Sequence, residues 1–204
     1  MNKINYYKKS IEEIKKLDYK PSLLLHSCCG PCVTYPLTFL YEHFDITIFY
    51  NNSNIYPESE YNLRLNELKE FVKNNYPDIK IIIPPYNNEE YNKFLKSFKE
   101  MPEGQERCFA CYAKRMDEGF LYASENNFEY YTTTMTVSRQ KNSQKLNEIG
   151  SLLEKKYKNV KYFYSDFKKK DGILIGSRIA KENNMYRQDY CGCIYSFNDK
   201  TNRR

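Results

Sequence analysis

The chain has 204 residues, with 32 basic against 26 acidic for a formal charge of +6, and it carries 21 tyrosines, seven cysteines and no tryptophan. That length suits one domain around a single hydrophobic core, and no stretch approaches the roughly 18 consecutive apolar residues of a membrane span. The opening segment MNKINYYKKSIEEIKKL is charged and amphipathic, without a signal-peptide pattern, so the expected compartment is the cytoplasm; structural disulfides are rare there, and seven cysteines need another explanation. The modest positive charge permits an RNA partner without requiring one.

In chain order, an amphipathic helix is predicted over Lys3–Leu17, a strand over Ser22–His26 and a helix over Cys32–Phe44, with Pro31 at its opening. Strand Asp45–Tyr50, helix Pro57–Asn75 and strand Ile79–Pro84 follow. The segment Pro84–Gln105 is the least regular and is expected to hold a short helix around Glu89–Lys99 and then a loop over the site. Helix Cys108–Asn126, strand Glu129–Thr134, helix Ser143–Lys158, strand Val160–Tyr164 and helix Gly172–Asn184 complete the pattern. Strands separated by helices of this length imply parallel pairing, hence a single three-layer α/β, Rossmann-like domain with a mostly parallel sheet of about five strands. No repeat or linker divides it. Ligands of such sheets bind beyond the carboxyl ends of the strands, and Cys28 and Cys29 directly follow the first strand.

All seven cysteines fall into three groups: Cys28-Cys29-x-x-Cys32, Cys108-x-x-Cys111 and Cys191-x-Cys193. Buried apolar cysteines would scatter over core positions; short spacing is what metal ligation or dithiol chemistry needs. Cys29-Gly-Pro-Cys32 is a thioredoxin-like dithiol signature, but a thiol–disulfide oxidoreductase leaves the other five cysteines unexplained. Zinc and an iron–sulfur cluster both remain open on spacing. The distance between the pairs, on a core that needs no zinc to fold, favours iron–sulfur. A zinc-stabilised RNA-binding module is the competing reading. An ATP-dependent tRNA-modifying enzyme of related fold would need a phosphate loop where HSCCGPC lies.

The motifs HSCCGPC (His26–Cys32), YNNSNIYPESEYNLR (Tyr50–Arg64), GQERCFACYAKRM (Gly104–Met116), TTTMTVSRQKN (Thr132–Asn142) and DFKKKDGILIGSRIAKENNMYRQDYCGCIYS (Asp166–Ser196) span most of the chain. Together they resemble the cobalamin-independent epoxyqueuosine reductases of queuosine biosynthesis, with Ser53 standing where that family usually has proline and Arg139 where a proline often follows the serine. The resemblance implies reduction of the epoxide of epoxyqueuosine, at the wobble position of a tRNA anticodon, to the alkene of queuosine. It implies a 4Fe–4S cluster on Cys28, Cys29, Cys108 and Cys111, no cobalamin, and a redox-active pair at Cys191 and Cys193. The physiological electron donor is not identified.

Deoxygenating an epoxide consumes two electrons and two protons, whereas a 4Fe–4S cluster passes electrons singly. Cys191 and Cys193 supply a second store as a dithiol becoming a disulfide, with Gly192 giving the backbone freedom. Alternatively they hold a second iron, with Cys32 or Asp189, that grips the epoxide oxygen. Cys32 otherwise has no assigned role. Proton-donor candidates are Asp189, Tyr190 and His26, the last more often a packed strand-end residue. Lys168, Lys169, Lys170 and Arg187 are candidate tRNA phosphate contacts, as is the basic tail TNRR; a solvated surface role is the alternative for each.

Overall fold

The computed structural model describes residues 4–202; Lys3 of the expected opening helix and Arg203 and Arg204 of the basic tail lie outside them. Five strands, β1 (Ser22–His26), β2 (Asp45–Phe49), β3 (Lys80–Ile82), β4 (Tyr130–Thr133) and β5 (Lys161–Tyr162), form one sheet in the order β3-β2-β1-β4-β5. Every pairing is parallel. The expected three-layer architecture is therefore the observed one.

The side-chain period of two along β1 divides the core. Leu23 and Leu25 face a cluster that includes Val33, Leu37, Ile46, Ile48 and Leu68, while Leu24 faces Met116, Phe120, Tyr131 and Leu146. The first cluster is covered by helices α2 (Gly30–Leu40), α3 (Glu58–Asn75) and α7 (Gly172–Glu182). The second is covered by α5 (Glu106–Glu125) and α6 (Ser143–Lys156). Helix α1 (Tyr6–Ile14) is capped by Asn5, whose side chain accepts from the Lys8 N–H, and α4 (Asn88–Leu95) continues into a 3₁₀ turn at Lys96–Phe98.

The edges of the sheet are shorter than the sequence suggests. β3 and β5 each pair with one neighbour only; Pro84 and Pro85 cannot extend β3, because proline has no N–H to give the ladder. Helix α2 begins at Gly30, two residues before the expected Cys32, with Cys29 as its extended N-cap and Pro31 in its first turn. It also tolerates Pro36 internally. A final helix, α8 (Ile194–Asn202), was not foreseen. It buries only Ser196 and has no apolar stripe to announce it.

The order 3-2-1-4-5 means that the chain leaves β1 in one direction and returns through β4 in the other. The crevice between the carboxyl ends of β1 and β4 is the switch point at which such sheets bind ligands. Helix α2 leaves the carboxyl end of β1 and α3 that of β2, while α5 runs back towards the start of β4. All three helices therefore place their N-termini on the side of the sheet where the strands' carboxyl ends lie. Among the described residues no helix is long and apolar enough to cross a membrane.

Candidate active site at the cysteine-lined cavity

A cavity of about 290 Å³ opens at the switch point, and Cys28, Cys32, Cys191, Arg115, Lys141 and Asp189 are among its lining residues. Cys28 lies in the turn after β1, its Sγ 3.9 Å from Thr134 Oγ1 just beyond β4. The Sγ atoms of Cys28, Cys29 and Cys32 all lie within 4.8 Å of one another, and no other set of three potential metal ligands is gathered as closely among the described residues. Cys29 and Cys32 are joined as a disulfide across the start of α2. Metal ligation by Cys29 requires that bond to be reduced. Gln188 Nε2 donates to Cys29 Sγ at 3.1 Å.

The second group stands at the start of α5, where Cys108, Cys111 and Arg115 follow at intervals of three and four residues and so share one helix face. All three are buried. Cys108 Sγ accepts from the Gly104 N–H at 3.2 Å. Burial pushes the Cys108 thiol up, an effect the Gly104 N–H opposes, and it pushes Cys111 up to about 12. Cys108 and Cys111 both feel Cys191 and Cys193 electrostatically, so the second and third groups share one neighbourhood. The four ligands expected of the cluster are not drawn together as tightly as three around a single ion. A cube of iron and sulfide holds its thiolates at separate corners and calls for wider spacing.

The third group arrives on a backbone held at several points. After α7 the chain runs back along α3: the Tyr186 N–H donates to Glu67 Oε2 at 2.9 Å, and the Tyr186 hydroxyl donates to Glu60. Arg64, 2% exposed, then binds two successive carbonyls, donating from Nη1 to Cys191 O at 3.1 Å and from Nη2 to Tyr190 O at 3.2 Å. Its Nε pairs with Glu60 at 2.8 Å. The Tyr56 N–H donates to Gly192 O at 2.7 Å. Gly192 itself has φ +122°, a conformation side chains rarely adopt, and a Cβ there would meet Arg64 Nη1 at 2.9 Å. Cys191 and Cys193 are free thiols. Cys193 is turned towards Ser196, and burial raises its pKa.

Several expected residues have surroundings that narrow their roles. His26 is fully buried, with Nδ1 2.8 Å from Thr133 Oγ1 and Nε2 3.3 Å from Asn51 O and 3.2 Å from Arg115 Nη2. Burial, then the Arg115 charge, drive its pKa well below the usual imidazole range, so it is a neutral packed residue. Tyr190 commits its hydroxyl to Tyr56 O, and burial raises its pKa, which weakens it as an acid. The Asp189 side chain is 54% exposed and pairs with Lys200 at 2.6 Å, so it is not the desolvated acid that the sequence suggested. Lys168 is turned inward, donating to Thr136 O and Lys141 O and pairing with Asp166 at 3.5 Å; it ties the loop after β4 and does not present its charge to solvent. Lys169, Lys170 and Arg187 are exposed, Arg187 donating to Ser177 Oγ at 3.1 Å.

The sequence reading passed over three cations: Arg64, Arg115 and Lys141. Lys141 keeps a raised pKa because Cys191 and Cys28 outweigh the effect of its burial. Arg115 donates from Nη2 to Asn52 Oδ1 and to His26, while its buried Nε has no partner. Both arginines lie in the apolar stripes of their helices. Arg64 falls between Tyr61 and Leu65, and Arg115 between Tyr112 and Met116. A charge in that stripe was the available signal.

Sheet order, switch-point cavity and thiol lining define a Rossmann-like protein whose ligand site is built from cysteines and cations in place of a glycine-rich phosphate loop. Residues 23–199 match the family model described as epoxyqueuosine reductase QueH, and the chain belongs to that family. Curated relatives carrying the same name include those of Streptococcus pyogenes serotype M1, 37% identical over 95% of this chain and 78% of the relative, and Staphylococcus aureus, 38% identical over 95% and 84%. The Thermotoga maritima protein is 34% identical over 86% of this chain and 90% of its own length.

Proposed function

We propose that this protein is an oxidoreductase that reduces epoxyqueuosine at the wobble position of tRNA to queuosine, the last step of that modification. We further propose that Cys28, Cys29, Cys108 and Cys111 hold a 4Fe–4S cluster and that no cobalamin is needed. The observation that carries this reading is that cysteines of the first and third groups line one switch-point cavity, with the second group within electrostatic reach of the third, in a chain of the QueH family. The donor set suits the group: thiolates are iron–sulfur ligands, and buried Arg115 and half-buried Lys141 favour negative charge on them. When bound, such a cluster supplies electrons one at a time.

Cys191 and Cys193 complete the balance. As they form a disulfide, two thiols give up two electrons and two protons; the epoxide takes them, both its C–O bonds break, and alkene and water leave. Electrons from an external donor then restore the dithiol. Arg64 fixes the carbonyls that flank Cys191 and so fixes where this pair stands. Lys141 faces the cavity as a cation suited to the oxygen as it acquires charge. A second iron at Cys191 and Cys193, with Cys32 or Asp189, is the alternative role for the same residues. Lys169, Lys170 and Arg187 are the exposed residues offered to tRNA phosphates.

The test is anaerobic protein, verified for iron and acid-labile sulfide, incubated with epoxyqueuosine-bearing tRNA and a strong one-electron reductant without cobalamin. Nucleoside mass analysis should show loss of one oxygen. A persistent epoxide with cluster and tRNA binding intact would refute the assignment.

A further inference from the structure

Arg115 is 2% exposed, and its side-chain partners are Asn52 and His26, with no carboxylate within ion-pairing distance among the described residues. Its Nε makes no hydrogen bond. A guanidinium does not lose its proton in proteins, and a buried charge without an opposite charge is strongly destabilising. The cavity offers one carboxylate, Asp189, which Lys200 already engages. Glu118, three residues further along the helix, pairs with Lys114 at 2.8 Å and accepts from Asn51. The remaining groups that can carry negative charge towards Arg115 are chiefly thiols. Cys111 is one helical turn before it, and Cys28 and Cys191 line the same cavity wall. A thiol in a buried site is uncharged unless something holds it as thiolate. The charge balances only when the sulfurs are held as thiolates, which metal ligation achieves outright.

We infer that Arg115 is the built-in counter-charge of the sulfur-ligated centre, a positioning residue oriented by Asn52 and His26 that raises the centre's reduction potential and favours its assembly. This rests on the iron–sulfur reading above. A fixed positive charge stabilises the more negative, reduced state, so its loss lowers the potential. Asn52 makes the orientation specific. It accepts from Arg115 at Oδ1 and donates from Nδ2 to Ser27 O at 2.8 Å, which links the arginine to the backbone immediately before Cys28.

The experiment compares wild type, Arg115→Gln and Arg115→Lys as full-length anaerobic proteins, each measured for iron, sulfide and midpoint potential by spectroscopically monitored titration. Expected is a downward shift in Arg115→Gln of at least tenfold in the one-electron equilibrium constant, 59 mV, with Arg115→Lys recovering most of it. An Arg115→Gln protein with full iron and sulfide and an unchanged potential overturns the inference. If Arg115→Gln fails to load, loading restored by Lys supports a charge requirement, and failure of both assigns Arg115 to hydrogen-bond geometry and overturns it. A second measurement covers poor folding. Arg115→Met should raise the denaturation midpoint of the reduced, metal-free chain and lower that of the loaded one, whereas a purely structural arginine predicts a loss in both. Wild type without acid-labile sulfide overturns the iron–sulfur reading itself, and the inference with it.

Discussion

Replacing Arg64 by alanine should release the Cys191–Cys193 loop. The guanidinium makes three contacts: Glu60 at 2.8 Å, Cys191 O at 3.1 Å and Tyr190 O at 3.2 Å. It also lies over the Tyr190 ring, 5.2 Å from its centroid. Hydrogen bonds from a charged donor contribute about 1.5–3 kcal/mol each, and removing one partner of a buried ion pair costs about 3–5 kcal/mol because the other is left uncompensated. These terms overlap. Glu60 keeps the Tyr186 hydroxyl and remains 11% exposed, which places the expected loss near the lower end, about 3 kcal/mol. For a chain of this size that is a fall in melting temperature of about 6–12 °C. Arg64→Lys keeps the charge without the fork that spans two carbonyls, so it should recover part of the stability and less of the loop order. The assay is urea denaturation of the reduced protein, with thiol alkylation followed by mass at Cys191 and Cys193. Alkylation there should accelerate in Arg64→Ala while Cys111 stays protected until global unfolding. An alanine variant within about 0.5 kcal/mol of wild type, with unchanged alkylation, would refute the clamp.

Gly192→Ala should share part of that phenotype, losing about 1–3 kcal/mol through its φ of +122°, with faster alkylation of Cys191 as the check. Changing Cys191 and Cys193 together to serine should preserve iron and sulfide but abolish turnover; loss of a separate iron in that variant would favour the second-metal role. Lys168→Ala should cost about 1–3 kcal/mol of stability by freeing two loop carbonyls, measured by denaturation. The double change of Lys169 and Lys170 to alanine should leave stability within about 0.5 kcal/mol while flattening the salt dependence of tRNA binding. Stripping the metal with a chelator under reducing conditions should lower the melting temperature, because ligation energy is folding energy.

What could be read from the sequence follows from what each signal measures. Alternating apolar runs and amphipathic helices report local burial, and they located β1, α3, α5 and α6 to within a few residues. Edge strands bury less, so β3 and β5 were overdrawn: β5 keeps only Lys161 and Tyr162. Helix α8 has no stripe and was missed. The cysteine groups announced themselves by spacing, but spacing says nothing of which sulfurs meet. The structure joins Cys32 to Cys29, where the resemblance had placed Cys29 with Cys28, Cys108 and Cys111 and left Cys32 without a role. Lys168 is the reverse case. Within the run Phe167–Gly172 it reads as surface charge, and only the fold shows that its ammonium turns in beneath the loop after β4.

The buried arginines show how a Rossmann-like sheet can be turned to thiol chemistry. A phosphate-binding version of this fold presents backbone N–H groups and a helix N-terminus to an anion that arrives from solution. Here the turn after β1 presents Cys28 and Cys29 at the same helix terminus, so the anion is supplied by the chain itself once the sulfurs are deprotonated. That raises an electrostatic demand that the helix dipole, equivalent to about half a charge, cannot meet for several thiolates together. Arg115 and Lys141 add whole charges on the cavity wall, and Asp189, the cavity's carboxylate among the described residues, is drawn off by Lys200. Arg64 carries its own counter-ion in Glu60 and spends its remaining donors on backbone carbonyls. One arginine is therefore balanced within the protein and orders a loop, while the other stays unbalanced until the sulfurs carry charge. The difference follows from how the nearby acid is engaged: Glu60, one helical turn before Arg64, pairs with it, whereas Glu118, one turn after Arg115, is taken by Lys114 and Asn51, and the turn before Arg115 carries Cys111.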